Sequence, residues 1–336
     1  MSLSRRMLLG LGIAVAGTLL GRSGEAKPNA ITATESTIDG SPDGSPDTTS
    51  GERSVLVRYK FQTVNGSKIF YRVAGDASNP AILLLHGFPS SSRMFDRLMT
   101  LLADRFYLIA PDYLGFGHSD APSSETFKYT FDNIAESISV FTELVGLKKF
   151  ALFMQDYGAP VGMRIATAHP DRVTSLIIQN GNLYDQGLGP AWEARRAFWN
   201  DRKAHEAALK ENFLSLAATR SRHIGHDPDI EKYDPDLWTD EFAFLSRGGQ
   251  SEIQCELFYD YQNNVRLYPS WQAWLREHQP RTLVVWGRYD ASFTESGATL
   301  IKKDVPGAAV HLLDGSHFVM DTCLEKVCDL VRKFLS

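Results

Sequence analysis

Residues 151–162 read ALFMQDYGAPVG. Four apolar residues, Ala151 to Met154, of the kind that end a buried strand run straight into Gln155-Asp156-Tyr157-Gly158. A carboxylate therefore stands where the chain turns from strand to helix. An aspartate in front of a helix is often only a cap, accepting a hydrogen bond from an otherwise orphan backbone N–H. What stands at the other strand ends distinguishes a cap from a reactive group.

The same grammar repeats on both sides of this stretch. VLVRYKFQTV and GSKIFYRVAG read as two antiparallel strands, with Asn65-Gly66 between them as a strong hairpin signal. AILLLHG at 81–87 is a continuous apolar run, as expected for a strand covered on both faces. FYLIAPDYLG, FALFMQD, VTSLIIQNG, TLVVWGR at 282–288 and AAVHLLDG at 308–315 follow in the same manner. Helical patterns lie between most of them, such as FDNIAESISVFTELVG at 131–146 and APVGMRIATAHPD at 159–171. Alternation of this kind predicts an alpha/beta fold with a largely parallel central sheet flanked by helices.

One interval interrupts the alternation. Residues 182–276 are helical in pattern, poor in strand signals and rich in aromatics, among them Tyr184, Trp192, Trp199, Tyr259 and Tyr261. An insertion of this length between two strands is expected to form a helical cap over the carboxyl edge of the sheet, where open alpha/beta folds place ligands. The expected organisation is thus a core at 54–181, the cap at 182–276 and the rest of the core at 277–336.

The polar residues that follow the apolar runs carry the chemistry. His86-Gly87-Phe88-Pro89 follows one strand, Asp156 a second, Asp290 comes just beyond VVWGR and His317 just beyond HLLDGS. Parallel strands bring such ends together in space. Each has a plain structural reading: Asp290 as a cap for a segment starting at Ser292, His317 as a histidine bonded to backbone, His86 as an organiser of its loop. Together, in this order, Asp156, Asp290 and His317 have the form of a triad of nucleophile, acid and base. The chain holds no G-x-S-x-G that would supply a serine instead.

LLLHGFPSSS, LIAPDYLGFGHSD, MQDYGAPVG, AHPDRVTSLIIQN, TLVVWGRYD and GSHF, spread from about Val55 to Leu335, make the chain resemble the alpha/beta-hydrolase superfamily, in the branch with an aspartate nucleophile that includes epoxide hydrolases and haloalkane dehalogenases. The resemblance implies Asp156 as nucleophile, His317 as base, Asp290 as its orienting acid, and the backbone N–H groups of Phe88 and Tyr157 as an oxyanion hole. No cofactor or metal is expected, since the nine histidines show no ligand spacing coupled to a motif. An aspartate suits attack on saturated carbon, because the alkyl ester it forms has its own carbonyl for activated water to attack.

The leaving group is the open question. An epoxide leaves an alkoxide, which needs a hydrogen-bond or proton donor such as a phenol. LFYDYQNN at 257–264 resembles the tyrosine-bearing segment of epoxide hydrolase caps, which points to Tyr261, with Tyr184 and Tyr259 as further candidates. A halide needs N–H donors in an apolar pocket. Haloalkane dehalogenases generally place Trp after the nucleophile and often Asn after the early His-Gly; Tyr157 and Phe88 stand there, and Trp192 or Trp199 would have to compensate. Fluoroacetate dehalogenases are similar too, but their arginine after the nucleophile is replaced by Tyr157. Epoxide opening to a diol is therefore the expected activity, haloalkane dehalogenation the alternative, and a binding protein on the same fold a third reading.

The first residues differ from all of this. Arg5 and Arg6 precede an apolar stretch from Met7 to Leu20, and Gly24 and Ala26 are small residues placed for cleavage after Ala26. Residues 1–26 are read as a signal peptide of twin-arginine type, with export of the folded protein to the periplasm or beyond. Residues 27–53, rich in Ser, Thr, Gly, Asp and Pro, read as a flexible tether. A net charge of −5 gives no reason to expect nucleic acid. The expected partners are a small hydrophobic electrophile and water, with membrane contact only if the N-terminal segment is retained; the oligomeric state does not follow from the sequence. Gly115-Phe116-Gly117 lacks the fuller phosphate-binding pattern. The three cysteines, Cys255, Cys323 and Cys328, read as buried free thiols.

Overall fold

The computed structural model describes residues 56–336. The expected signal peptide (1–26), the tether (27–53) and the first two residues of the expected core lie outside the described residues. Strands β1 (Arg58–Val64) and β2 (Ser67–Ala74) form the early hairpin, turned by Asn65 at φ 48° and Gly66 at φ 85°. Two successive residues at positive φ make the turn whose twist matches that of the flanking strands. The strands β3 (Ala81–Leu85), β4 (Tyr107–Pro111), β5 (Phe150–Gln155), β6 (Val173–Gln179), β7 (Thr282–Gly287) and β8 (Ala309–Leu313) complete one eight-stranded sheet. Its order is β1-β2-β4-β3-β5-β6-β7-β8; β2 runs antiparallel to both neighbours, and every pair from β4-β3 onward is parallel.

Alternation along the central strands explains their unbroken apolar character. Leu152 and Met154 of β5 join Leu83, Leu85, Ile178 and Val284 in the core on one face of the sheet. Ala151 and Phe153 join Ile82, Leu84, Ile177 and Val285 on the other. On the first face pack α2 (Phe131–Leu144) and α3 (Gly158–Ala168); on the second pack α1 (Asp96–Leu102) and the last helix, which ends at Leu335. With both faces covered, the carboxyl-terminal halves of the central strands are apolar up to the strand ends.

Between β6 and β7 lie α4 (Trp192–Asn200), α5 (Arg202–Leu214), α6 (Leu216–Ile224), α7 (Asp236–Leu245) and the long α8 (Gln250–His278). Short helices α9 (Glu295–Thr299) and α10 (Ile301–Asp304) follow β7, and α11 (Met320–Leu335) closes the chain. Phe258, Tyr261, Asn264, Tyr268, Trp271 and Leu275 form the buried stripe of α8 at helical spacing. No helix among the described residues is long and apolar enough to cross a membrane. Cys255 and Cys328 are buried free thiols, but Cys323 is partly exposed. It sits where α11 departs from helical geometry (φ −127°, ψ 27°), which turns it out of the packed stripe to which Leu324, Val327 and Val331 belong.

A buried histidine ties the inserted helices to the core. His223 of α6 lies with Nδ1 2.7 Å from Asp321 Oδ2 of α11 and Nε2 2.9 Å from Glu241 Oε2 of α7. Burial alone would lower its pKa, but the two carboxylates outweigh that and push it up to about 10. Since the unfolded value is near 6.5, this histidine adds stability that is complete below that pH and lost as pH rises through about 10. The His223→Gln variant is expected to be less stable by about 3 kcal/mol near neutral pH, because it leaves buried carboxylates unpaired. The deficit should narrow toward pH 11, as read by thermal melting of both proteins across the range; a gap independent of pH would remove the charge from this account.

Candidate active site

Asp156 leaves β5 at φ 48°, a left-handed conformation that aspartate tolerates better than most side chains. The turn is sharp enough that a Cβ on Gly158 would lie 2.2 Å from Leu85 O and one on Gly87 2.2 Å from Asp156 Cβ. Glycine at both positions lets the α3 N-terminus and the β3 loop close in on the carboxylate. An N-cap residue has extended dihedrals and turns its side chain onto its own helix. Here the Phe88 N–H, from the loop after β3, donates to Asp156 Oδ1 at 2.8 Å. The other oxygen, Oδ2, lies 3.5 Å from His317 Nε2.

His317 is fully buried, and its Nδ1 is 2.8 Å from Asp290 Oδ2. Both readings of Asp290 are realised, one on each oxygen. Oδ1 accepts from the Ser292 and Phe293 N–H groups at 2.7 and 3.0 Å, as a cap, while Oδ2 faces His317 and also accepts from Asn180 Nδ2 at 2.8 Å. Asn180 in turn accepts from the Gly287 N–H through Oδ1 at 2.9 Å, which fixes its amide between β6 and β7. Asn180 was missed in the sequence, although it follows the apolar run of β6 as Asp156 follows that of β5. His86 does organise its loop: Nε2 accepts from the Tyr113 N–H at 3.2 Å and Nδ1 faces Gly87 O at 3.1 Å.

Electrostatics sets the protonation state. Burial alone would raise the Asp156 carboxyl, but His317 and the Phe88 and Tyr157 amides outweigh it and hold the pKa below the ordinary value. Burial alone would lower His317; Asp290 and Asp156 outweigh it and push it up to about 9. At neutral pH the arrangement is an imidazolium between two carboxylates. With the Phe88 N–H on its far oxygen, the Asp156 carboxylate is suited to attack carbon through Oδ2 and then to present Oδ1 as a carbonyl oxygen to that same donor.

The aromatic candidates separate cleanly. Tyr261 is buried over the site, with its ring centroid 5.9 Å from that of Tyr157 and 4.6 Å from that of Trp192, and its hydroxyl is 3.3 Å from the Tyr268 hydroxyl. Tyr157 places a buried hydroxyl with no partner among the described residues. Burial, chiefly, and then the charge of Asp156 for Tyr157, of Tyr268 and Asp156 for Tyr261, raise both phenols well above the usual tyrosine range, so both are O–H donors at any working pH. Tyr184 does not join them: its hydroxyl donates to Asp304 Oδ2 at 2.6 Å, and Asp304 also holds Arg276. Tyr259 does not either. Residues two apart on a helix lie some 200° apart, so with Tyr261 inward Tyr259 turns outward, against Phe198 and Arg202. The two indoles named as substitute halide donors are committed to backbone, Trp192 Nε1 to Ser292 O at 3.0 Å and Trp199 Nε1 to Phe258 O at 2.7 Å.

Residues 80–322 match the family model described as alpha/beta hydrolase fold. The chain is 40% identical over 274 residues to an uncharacterised hydrolase of Saccharomyces cerevisiae, covering 80% of this chain and 94% of that protein. It is 39% identical to haloalkane dehalogenase 2 of Mycobacterium tuberculosis, but over 105 residues, 31% of this chain and 36% of the dehalogenase. It is 24% identical to epoxide hydrolase 2 of Caenorhabditis elegans over 289 residues, 83% of this chain and 80% of that protein.

Proposed function

The chain belongs to the alpha/beta hydrolase fold family, and on that premise we propose that it opens an epoxide to a vicinal diol through a covalent ester at Asp156. The observation that carries the choice of leaving group is the set of donors beside the carboxylate. Two buried phenols, Tyr157 and Tyr261, feel the charge of Asp156, whereas the indoles of Trp192 and Trp199 are bonded to carbonyls. Phenols can protonate an alkoxide, which a departing halide does not require, and the two indoles are not available to a halide while they are bonded to carbonyls.

Asp156 Oδ2 attacks one epoxide carbon, the C–O bond to the ring oxygen breaks, and the alkoxide takes a proton from a phenol. Asp156 has then lost its charge, so His317 loses one of the two carboxylates that hold its proton and becomes the more acidic for it. That proton restores the phenol, and His317 is left neutral. It next removes a proton from water as the oxygen adds to the ester carbonyl carbon, with negative charge developing on Oδ1 toward the Phe88 and Tyr157 amides. Collapse of this adduct breaks the ester C–O bond and moves a proton to the departing oxygen. The diol leaves behind ionised Asp156 and protonated His317, the starting state.

Tyr157→Phe and Tyr261→Phe are each expected to lower kcat for epoxide opening by ~10- to 100-fold, and the double variant by more. A panel of epoxides and haloalkanes, read separately for diol and for halide, tests the whole reading. Halide release with every epoxide left intact would contradict it, and unchanged kinetics in both single variants would remove the phenols. The Arg5-Arg6 leader reading assigns the reaction to the far side of the inner membrane.

A further inference from the structure

Two guanidiniums lie beneath the inserted helices without a carboxylate of their own. Arg195 of α4 is 5% exposed, and its Nε is buried with no hydrogen-bond partner among the described residues. Nη1 of Arg222, on α6, is in the same condition. Neighbouring arginines on the inserted helices are not left so: Arg202 pairs with Glu256 and Arg276 with Asp304. What Arg195 and Arg222 have instead is aromatic rings. Arg195 Cζ lies 4.1 Å from the Trp192 ring centre and 5.4 Å from that of Phe258, and Arg222 Cζ lies 4.5 Å from that of Phe88. The Phe88 and Phe258 rings meet edge to face at 4.9 Å, so the two cations flank one aromatic pair. The backbone N–H of that same Phe88 holds Asp156 Oδ1.

Ring faces attract a cation but do not replace the hydrogen bonds that a buried guanidinium gives up on leaving water. The pair is also unfavourable to itself: burial first, and then the charge of Arg195, push Arg222 down to about 10. Burial lowers Arg195 as well, against the attraction of Tyr157 and Asp156. Glu241, the next carboxylate felt by Arg222, is already held together with Asp321 on His223, so that cluster supplies neither arginine with a partner. Bare guanidinium donors packed on the ring pair of Phe88, whose amide holds the nucleophile, are suited to recognise a planar, bidentate anion.

We infer that the substrate is an anion, an epoxide bearing a carboxylate that is gripped between Arg195 and Arg222 while its electrophilic carbon lies at Asp156 Oδ2. The product is then a dihydroxy carboxylate. The reacting group in this statement rests on the epoxide reading above; the anion does not.

Glycidate and glycidamide, alike in shape and different in charge, test it with the full chain. The wild type is expected to favour glycidate in kcat/KM by ~10-fold or more, and the ratio to fall to near one in Arg195→Gln and in Arg222→Gln, chiefly through KM. Arg195→Lys should fall between. Equal kcat/KM for the two compounds in the wild type, or a ratio unchanged in both folded Gln variants, would overturn the inference while leaving the epoxide reading in place. Chloroacetate and chloroacetamide, read for halide, separate the two claims: the same arginine-dependent preference there, with no epoxide opened, would sink the epoxide reading and sustain the anion. A titration of the wild type with glycerate and glyceramide, monitored by heat, needs neither turnover nor a stable variant. Tighter binding of glycerate is expected, and binding no tighter than glyceramide would overturn the inference.

Discussion

Replacing Asp156 with alanine is expected to lower epoxide turnover by ~10⁴-fold or more, to the background of the solution reaction. Among the described residues, no other carboxylate has one oxygen on the Phe88 amide and the other toward His317 Nε2. The fold should survive the change. Alanine at a left-handed φ costs on the order of 1 kcal/mol, but a buried anion disappears with it. The variant should also show a lower His317 pKa than the wild-type value of about 9, because Asp156 is one of the two carboxylates that raise it. An imidazole titration followed by NMR reads this apart from activity. Turnover retained in the folded variant would end the covalent mechanism.

The His317→Gln variant is expected to do the first half of the reaction and stop. Attack by Asp156 needs no base, whereas hydrolysis of the ester needs one to activate water; its loss should slow that step by ~10²- to 10⁴-fold. Intact-protein mass spectrometry should then show the protein plus one epoxide, and peptide mapping should put the added mass on Asp156. A variant that stays unmodified under substrate would mean that His317 acts before or during attack on carbon.

How much of this was legible beforehand depended on how local the signal is. The central strands are apolar on both faces, so the first polar residue after each run marks a strand end, and parallel pairing makes those ends neighbours; Asp156, Asp290 and His317 are visible in this way. Asn180 obeys the same rule, but no motif around it marks it as chemical. The division of Asp290 into a capping oxygen and a histidine-facing oxygen cannot be read from a string, since it depends on where Ser292 and Phe293 fall in space. Within the inserted helices, residue type alone misled. The sequence favours Tyr261 but keeps Tyr184 and Tyr259 as candidates, and the buried stripe of α8 and the reach of Asp304 separate them. Arg195 and Arg222 pass in sequence as ordinary polar positions of amphipathic helices, because their burial is made by the rings of Phe88 and Phe258 from other elements.

The covalent ester is tested most directly by one turnover, with enzyme in excess over epoxide, in water enriched in ¹⁸O. Water that attacks the carbonyl carbon of the ester leaves its oxygen in the protein, so the diol should carry no ¹⁸O and the peptide containing Asp156 should gain it. Heavy oxygen in the diol from that first turnover, with Asp156 unlabelled, would show water attacking the epoxide itself and would contradict the account.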